Sequence, residues 1–519
     1  MRRLLPLLGL TVLLGACGGG GGGSSSGSIV GSGWSAGVFQ PASTYAAQCA
    51  APRTGTNPAT GAAWPDKAGS VLTENNWLRS WSNDLYLWYG EIVDRDPGNY
   101  STTAAYFDVL KTPQLTASGA DKDRFHFTYP TDQWIALSQS NQSSGYGAQW
   151  SFIAVRPPRK LVVAYVEPNS PAAAAGLARG AEVLFVDGVD LVNAGDQASV
   201  DTLNAGISPA GVGESHQFTV QDPGAPANRT VTLVSQNITG ASVMNVKSLS
   251  TATGNVGYLQ FNDHLAGAEQ GLVDAITTLK AANVTDLVID MRYNGGGYLD
   301  IASELAYMIA GDAATAGKTF EKPTFNDKYP NTNPVTGATL QPEGFLAATQ
   351  GFGALPANQA LPTLNLPRVF VLTGPDTCSA SEAVINGLRG ADVEVIQIGE
   401  TTCGKPYGFY PQDNCGTTYF SIEFKGENAK GFGDYPDGFT PAAGATSAGA
   451  QVPGCTVADD FTHALGDEAE ARLAAALGWR STTSCPAVVL GKAKGGVDLA
   501  AAHGRLVRSP LLENRILRH

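Results

Sequence analysis

Residues 369–388 read VFVLTGPDTCSASEAVINGL. VFVL is a short apolar run of the buried-strand kind, and AVINGL continues as a helix, so the chain passes from strand to helix through GPDTCSASE. Ser379 stands at the entry to that helix, and two readings of it are open. Ser379 with Glu382 three residues later is a capping box, which satisfies the first N–H groups of a helix. The same geometry points a hydroxyl off the sheet edge beside free N–H groups and the positive end of the helix dipole, where a tetrahedral oxyanion would be stabilised. Taken alone, the stretch favours the cap.

A nucleophilic serine needs a base. The histidines offer no evident partner: His126, His216, His264 and His463 sit in unremarkable contexts, and His503 and His519 lie in the tail. Downstream, a strand expected over Val393–Ile398 would run beside VFVL and lead into IGETTCGKPYG, residues 398–408. Lys405 lies 26 residues after Ser379, with Gly404 beside it to permit a close approach. Burial can bring a lysine from a pKa of ~10.4 toward ~7–8, where it accepts a hydroxyl proton at neutral pH. A solvated loop lysine is the competing reading.

Upstream, GNVGYLQF (254–261) reads as a strand, followed by a helix over Glu269–Ala282, a strand over Asp286–Asp290, a glycine-rich turn and a helix over Leu299–Ala310. This βαβα order, repeated at Val369–Leu388, predicts a mixed α/β sheet. Residues 312–366 are rich in Pro, Asn and Gly and read as an irregular insert. Short apolar strands at Trp150–Val155, Leu161–Val166, Glu182–Val186, Gln217–Val220 and Thr230–Val234 predict a small β-barrel unit over 138–240, with one short helix at Pro171–Gly176. Residues 35–70 show no period. Trp77, Leu78, Trp81, Leu85 and Trp88 recur at helical spacing, so 35–137 reads as an irregular and helical N-terminal region.

The chain has 519 residues, too many for one ordinary domain, and is 43% hydrophobic, enough for real cores. Its net charge of −13, without a basic cluster mid-chain, argues against nucleic acid as a partner. Arg2 and Arg3 precede the apolar run LLPLLGLTVLLGA, a secretory-type leader, and Leu14-Gly15-Ala16-Cys17 resembles a bacterial lipobox with Cys17 as the lipidated residue. GGGGGGSSSGS suits a tether over 18–34, and no later stretch is long and apolar enough to span a membrane. The expected location is the bacterial cell envelope, anchored only by lipid, on the periplasmic side or at the outer membrane. Of seven cysteines, Cys17 set aside, six remain for disulfides. Cys403 with Cys415 and Cys455 with Cys485 are plausible pairs among the 15 connectivities possible. The absence of a CxxC pair and the few histidines argue against zinc, so no metal or cofactor is expected.

SASE and GETTCGK, preceded by VIDMRYNGGG (288–297), together resemble the carboxyl-terminal processing, or tail-specific, serine peptidases. The resemblance runs over about 74–480 and includes PNSPAAAAGLARGAEVLFVDG (168–188), DGFTP (437–441) and GDEAEARLAAAL (466–477). It implies a multidomain chain: a helical N-terminal region, a PDZ-like small β-barrel, a mixed α/β peptidase core of the ClpP/crotonase kind over 250–485, and a tail over 486–519. It implies Ser379 as nucleophile and Lys405 as general base. The Ala380 N–H and a glycine N–H from Asn294–Gly297, at Gly295 or Gly296, would form the oxyanion hole. Gly145-Tyr146-Gly147-Ala148 would be the loop that takes a peptide's terminal carboxylate. The substrates implied are proteins or peptides, held by their C-termini. Two departures stand out. Phe409 occupies the position where the family often carries a lysine-orienting glutamine, which leaves Gln412 as a candidate. Thr377-Cys378 replaces the family's first serine, and Cys378 is expected to be structural or disulfide-bonded. A peptide-binding lipoprotein scaffold without catalysis and a small-molecule esterase or amidase are the alternatives.

Overall fold

The computed structural model describes residues 34–443 and 448–485, together with the backbone of Asn514–Ile516. The leader, Cys17 and the tether lie outside these residues, as do His503 and His519. Among the described residues no helix is long and apolar enough to cross a membrane.

The core is a seven-stranded mixed sheet in the order Val243–Thr251, Gly254–Phe261, Val284–Asp290, Arg368–Thr373, Glu394–Gly399, Ala450–Thr456, Phe439–Ala443. The first pair is antiparallel and every later pair parallel. Parallel strands buried on both faces read as continuous apolar runs, which is why VFVL and LVID were visible as strands. The helices Ala268–Ala281, Leu299–Ala310 and Ala380–Gly390 pack their apolar residues into one cluster with Leu259, Ile289 and Val371, and Ala471–Thr482 covers the other face through Leu473 and Ala476. The expected neighbour relation of Val393–Ile398 and VFVL is realised as parallel pairing of Arg368–Thr373 with Glu394–Gly399. One edge strand was missed. Val243–Thr251 belongs to the core sheet, so the core starts before residue 250; its polar, lysine-bearing sequence is that of a strand exposed on one side.

Residues 145–238 form a separate small sheet, ordered Arg229–Val234, Ser215–Gln221, Glu182–Val186, Lys160–Val166, Ala148–Ala154, around its own cluster of Leu161, Val183, Val186, Leu203 and Phe218. It is an open sheet rather than a closed barrel, with Ala148–Ala154 on its edge. The helix Gln197–Ile207, capped by Asp196 on the Ser199 N–H, had no counterpart in the sequence reading because its apolar stripe is thin.

The N-terminal helix runs over Val71–Leu85 and starts before its aromatic stripe, because Ser70 caps it. Trp77 and Trp81 stack at 5.2 Å and are buried against Tyr419, while Trp88 lies beyond the helix end and off its stripe. The strand Phe127–Pro130 pairs with Thr417–Phe420, and a disulfide joins Cys49 to Cys415. The N-terminal region is thereby sewn onto the core.

The remaining disulfides are Cys378–Cys403 and Cys455–Cys485. The second was a plausible pair. The plausible pair Cys403–Cys415 is corrected: Cys403 bonds Cys378, 25 residues before it, and Cys415 bonds Cys49, 366 residues before it, a choice that spacing cannot reveal.

Candidate active site

Ser379 enters the Ala380–Gly390 helix at φ 61° and ψ −112°, a conformation that costs a residue with a side chain about 1–3 kcal/mol. In this conformation the hydroxyl does not cap the helix. Its Oγ is buried and has no hydrogen-bond partner among the described residues, while the main-chain N–H of Ser379 donates to Glu382 at 2.9 Å. Half of the capping box is therefore present. The carboxylate caps, and the hydroxyl is left for something else.

Glu382 does more than cap. Its Oε2 accepts from the Ser379 N–H and from the Lys405 N–H at 2.8 Å; its Oε1 accepts from the Gly404 N–H at 2.8 Å and the Thr402 hydroxyl at 2.5 Å. One carboxylate thus makes neighbours of the two stretches that carry Ser379 and Lys405. Burial pushes this carboxyl above its ordinary range, and the Thr402 hydroxyl and three N–H donors oppose that shift. The Cys378–Cys403 disulfide, with Cα atoms 5.1 Å apart, staples the same stretches from the other side. Cys378 is thus a disulfide partner, as expected. Gly404 could not be another residue: at φ 81°, a Cβ would stand 2.3 Å from the carbonyl oxygen of Pro436, the residue before DGFTP.

Lys405 is fully buried, and its Nζ lies 5.0 Å from the Phe125 ring centroid and 4.4 Å from that of Phe409. Apolar ring faces are the environment that disfavours a desolvated ammonium, apart from their modest cation–π attraction. Gln412 belongs to the short strand Gln412–Asn414, and its amide donates to the Asp413 carbonyl at 3.1 Å. The unexpected Phe409 occupies the space beside the ammonium.

The glycine-rich turn meets the same helix end. The Asn294 carbonyl accepts from the Cys378 N–H and the Ser381 hydroxyl, both at 3.0 Å. The Asn294 side chain accepts from the Gly296 N–H at 2.9 Å, which engages one of the two glycine donors considered for an oxyanion hole. Among the described residues the N–H groups of Gly295 and Ala380 have no hydrogen-bond acceptor. Those two donors remain available to an incoming oxygen.

His264 was passed over in the sequence and belongs here. Its main chain bonds Gly296 O and Tyr298 N, both at 2.9 Å, and its Nδ1 donates to Asn294 Oδ1 at 3.1 Å. Burial lowers its pKa to about 3, so it stays neutral and serves the turn's shape. Its only sequence signal was its place after a strand. Arg292 of the same motif is buried between Asp290, Asp459 and Glu470, and Tyr293 reaches Arg179 of the small sheet at 2.7 Å. Arg292 therefore braces the turn rather than facing the serine.

Gly145–Ala148 lies apart from this junction, on the small sheet. Gly147 has φ 75°, and a Cβ there would meet Ser170 Cβ at 2.2 Å. The Tyr146 side chain is buried and donates to the Gly206 carbonyl at 2.9 Å. The N–H groups of Tyr146 and Gly147 have no acceptor among the described residues. With the edge strand Ala148–Ala154 this loop lines a cavity of about 1030 Å³ that extends to Asp263, Tyr293 and Asp376 of the core. Ser379 and Lys405 do not line it.

Residues 255–409 match the sequence model of Peptidase family S41. This segment is similar to that family. It spans the glycine turn, Ser379, Glu382 and Lys405. Over 274 residues the chain is 26% identical to a carboxyl-terminal-processing protease of Picosynechococcus sp., covering 52% of this chain and 56% of that protein. The chain thus matches little more than half of that relative's length. A crystal structure of a Bacteroides fragilis protein assigned to the S41 proteases aligns over 81% of this chain and 100% of its own with a TM-score of 0.58 at 22% identity, a similarity of fold. Residues 255–409 are thus similar to the S41 peptidases, and the chain to a carboxyl-terminal-processing protease, within a mixed α/β fold of several sheets.

Proposed function

We propose that this chain is an exported, lipid-anchored serine endopeptidase that cuts protein substrates near their C-termini through a Ser379–Lys405 dyad. The observation that carries the reading is the shared Glu382 oxygen, which holds the Ser379 and Lys405 main chains together beside an unbonded serine hydroxyl. In this reaction the neutral Lys405 amine takes the hydroxyl proton as Ser379 Oγ bonds to the scissile carbonyl carbon. The oxyanion is received by the Ala380 and Gly295 N–H groups. The C–N bond then breaks, the departing amine takes the proton from the Lys405 ammonium, and water hydrolyses the acyl-serine in a second passage of the same steps.

The small sheet is read as a PDZ-like recognition unit. A substrate tail would add as a strand along Ala148–Ala154, with its terminal carboxylate on the Tyr146 and Gly147 N–H groups. Cys17 would carry the lipid and place the enzyme in a bacterial cell envelope. A serine-directed covalent probe together with a peptide-cleavage assay tests the whole reading. Labelling and cleavage that both vanish in Ser379→Ala and in Lys405→Ala support it. Peptide binding without labelling would leave a scaffold, and labelling with ester but no peptide turnover would leave an esterase.

A further inference from the structure

The backbone of Asn514–Ile516 forms a strand that pairs in parallel with Gly296–Tyr298, in the register Gly296 to Asn514, Gly297 to Arg515 and Tyr298 to Ile516. Nothing in the tail's sequence announces this strand. Its position decides its meaning. Gly296–Tyr298 already uses one edge, where Gly296 O and Tyr298 N bond the His264 main chain. Because successive residues of a strand turn their N–H and C=O to opposite edges, the N–H and C=O of Gly297 face the other way, toward Asn514–Ile516. That second edge continues from Gly295, the glycine whose N–H is open. The tail strand also runs beside the Ala380–Gly390 helix and beside Tyr407–Gly408, which follows Lys405. It is flanked by the three stretches that surround the dyad, and both Ser379 and Lys405 are fully buried.

We infer that Asn514–Ile516 occupies in cis the strand position that a peptide substrate must take, so that the segment is a built-in competitor of substrate. A peptide adding to the core as a strand needs the Gly297 N–H and C=O, and one edge serves one strand at a time. Gly297 sits at φ 141°, and a Cβ there would meet the His264 carbonyl oxygen at 2.5 Å, so glycine is required where the turn packs on His264. The inference deepens the peptidase reading and rests on it for the identity of the displaced ligand.

The test uses a fluorescently labelled peptide of sequence NRILRH, residues 514–519, and three chains: full-length, one lacking residues 514–519, and full-length Ile516→Pro, which loses the N–H that would reach Gly297 O. In a Ser379→Ala background, so that nothing is cut, the labelled peptide should bind the shortened and Ile516→Pro chains about 10-fold more tightly than the full-length chain, since a tethered competitor acts at an effective concentration on the order of millimolar. With Ser379 intact, the same two changes should lower KM for a peptide substrate by a similar factor and leave kcat unchanged. Equal binding to all three chains, or a KM indifferent to the tail in a chain that turns over, would overturn the inference. A binding difference in a chain that shows no turnover with Ser379 intact would keep the strand's role and remove the peptidase reading instead.

Discussion

The Ser379–Lys405 junction and the Gly145–Ala148 loop are both built from backbone N–H groups and glycines, yet they are held in opposite ways. At the junction every element is cross-braced: a disulfide, a buried carboxylate with four donors, and a carbonyl of the glycine turn all converge on one helix end. The loop is held by Tyr146 and the Gly147 carbonyl at the rim of a cavity, beside an edge strand that among the described residues is paired on one side only. Chemistry needs reacting groups fixed to within fractions of an ångström, whereas capture of a varied peptide needs an open edge and free donors. The two regions differ as those tasks differ.

The hardest test of the contrast is removal of the dyad. Ser379→Ala and Lys405→Ala should each lower kcat/KM for a peptide by at least ~10³-fold, and the double variant should be little worse than either, because the pair acts as one unit. Steady-state assays with circular dichroism as a folding control decide it. Substantial turnover in Lys405→Ala would return the search to other bases.

Next comes the brace. Glu382→Ala leaves the N–H groups of Ser379, Gly404 and Lys405 buried without an acceptor and should cost about 3–5 kcal/mol of stability, with activity lost alongside. Denaturant unfolding measures it. A loss below about 1 kcal/mol would mean that the disulfide alone holds the junction.

At the loop the effects are smaller. A peptide with a free C-terminus should bind better than its amidated twin by ~1–3 kcal/mol, read by calorimetry. Gly147→Val, which forces a branched side chain onto Ser170, should erase that difference while short peptides that reach Ser379 directly are still cut. Equal binding of both peptides by the intact chain would remove tail recognition from the small sheet.

The smallest effect concerns pH. Glu167 donates its N–H to the Gly147 carbonyl, and its carboxyl accepts from the Ala241 N–H. Burial raises its pKa to about 7 from an ordinary 4.5. With a raised folded pKa, Glu167 stabilises the fold fully below its unfolded value, and this contribution declines as pH rises through about 7. Above that point a negative charge also stands beside the loop, so the preference for free over amidated peptide should shrink a few-fold between about pH 6 and 8. Glu167→Gln should flatten that dependence. A preference that keeps its slope in the variant would assign it to another group.

Much of the core could be read in advance for a local reason. VFVL and GNVGYLQF are apolar because parallel strands are buried on both faces, and a strand, a tight turn and a helix start are all written within a few consecutive residues. The same locality explains the errors. The start of the Val71–Leu85 helix was not marked by the aromatic stripe because its cap, Ser70, lies before that stripe. The helix Gln197–Ile207 and the edge strand Val243–Thr251 were missed because a thin stripe and a half-exposed strand carry weak patterns. The candidate nucleophile and base were visible through their motifs, whereas Gln412 rested on its place in the loop alone; its amide donates to the Asp413 carbonyl.

By itself, then, the sequence determined which groups this protein can bring to chemistry: a serine at a helix mouth, a lysine after a neighbouring strand, and glycines where backbones must approach. Tertiary structure alone decided how they meet. Glu382 reads as a helix cap until the fold carries Thr402, Gly404 and Lys405 onto it. Cys378 finds Cys403, Cys49 finds Cys415 across 366 residues, and Asn514–Ile516 finds the edge at Gly297. Periodicity and caps are contacts among near neighbours and leave a local trace. A shared carboxylate, a disulfide or a strand pairing joins residues distant in sequence, and which of them meet is settled only by how the layers pack.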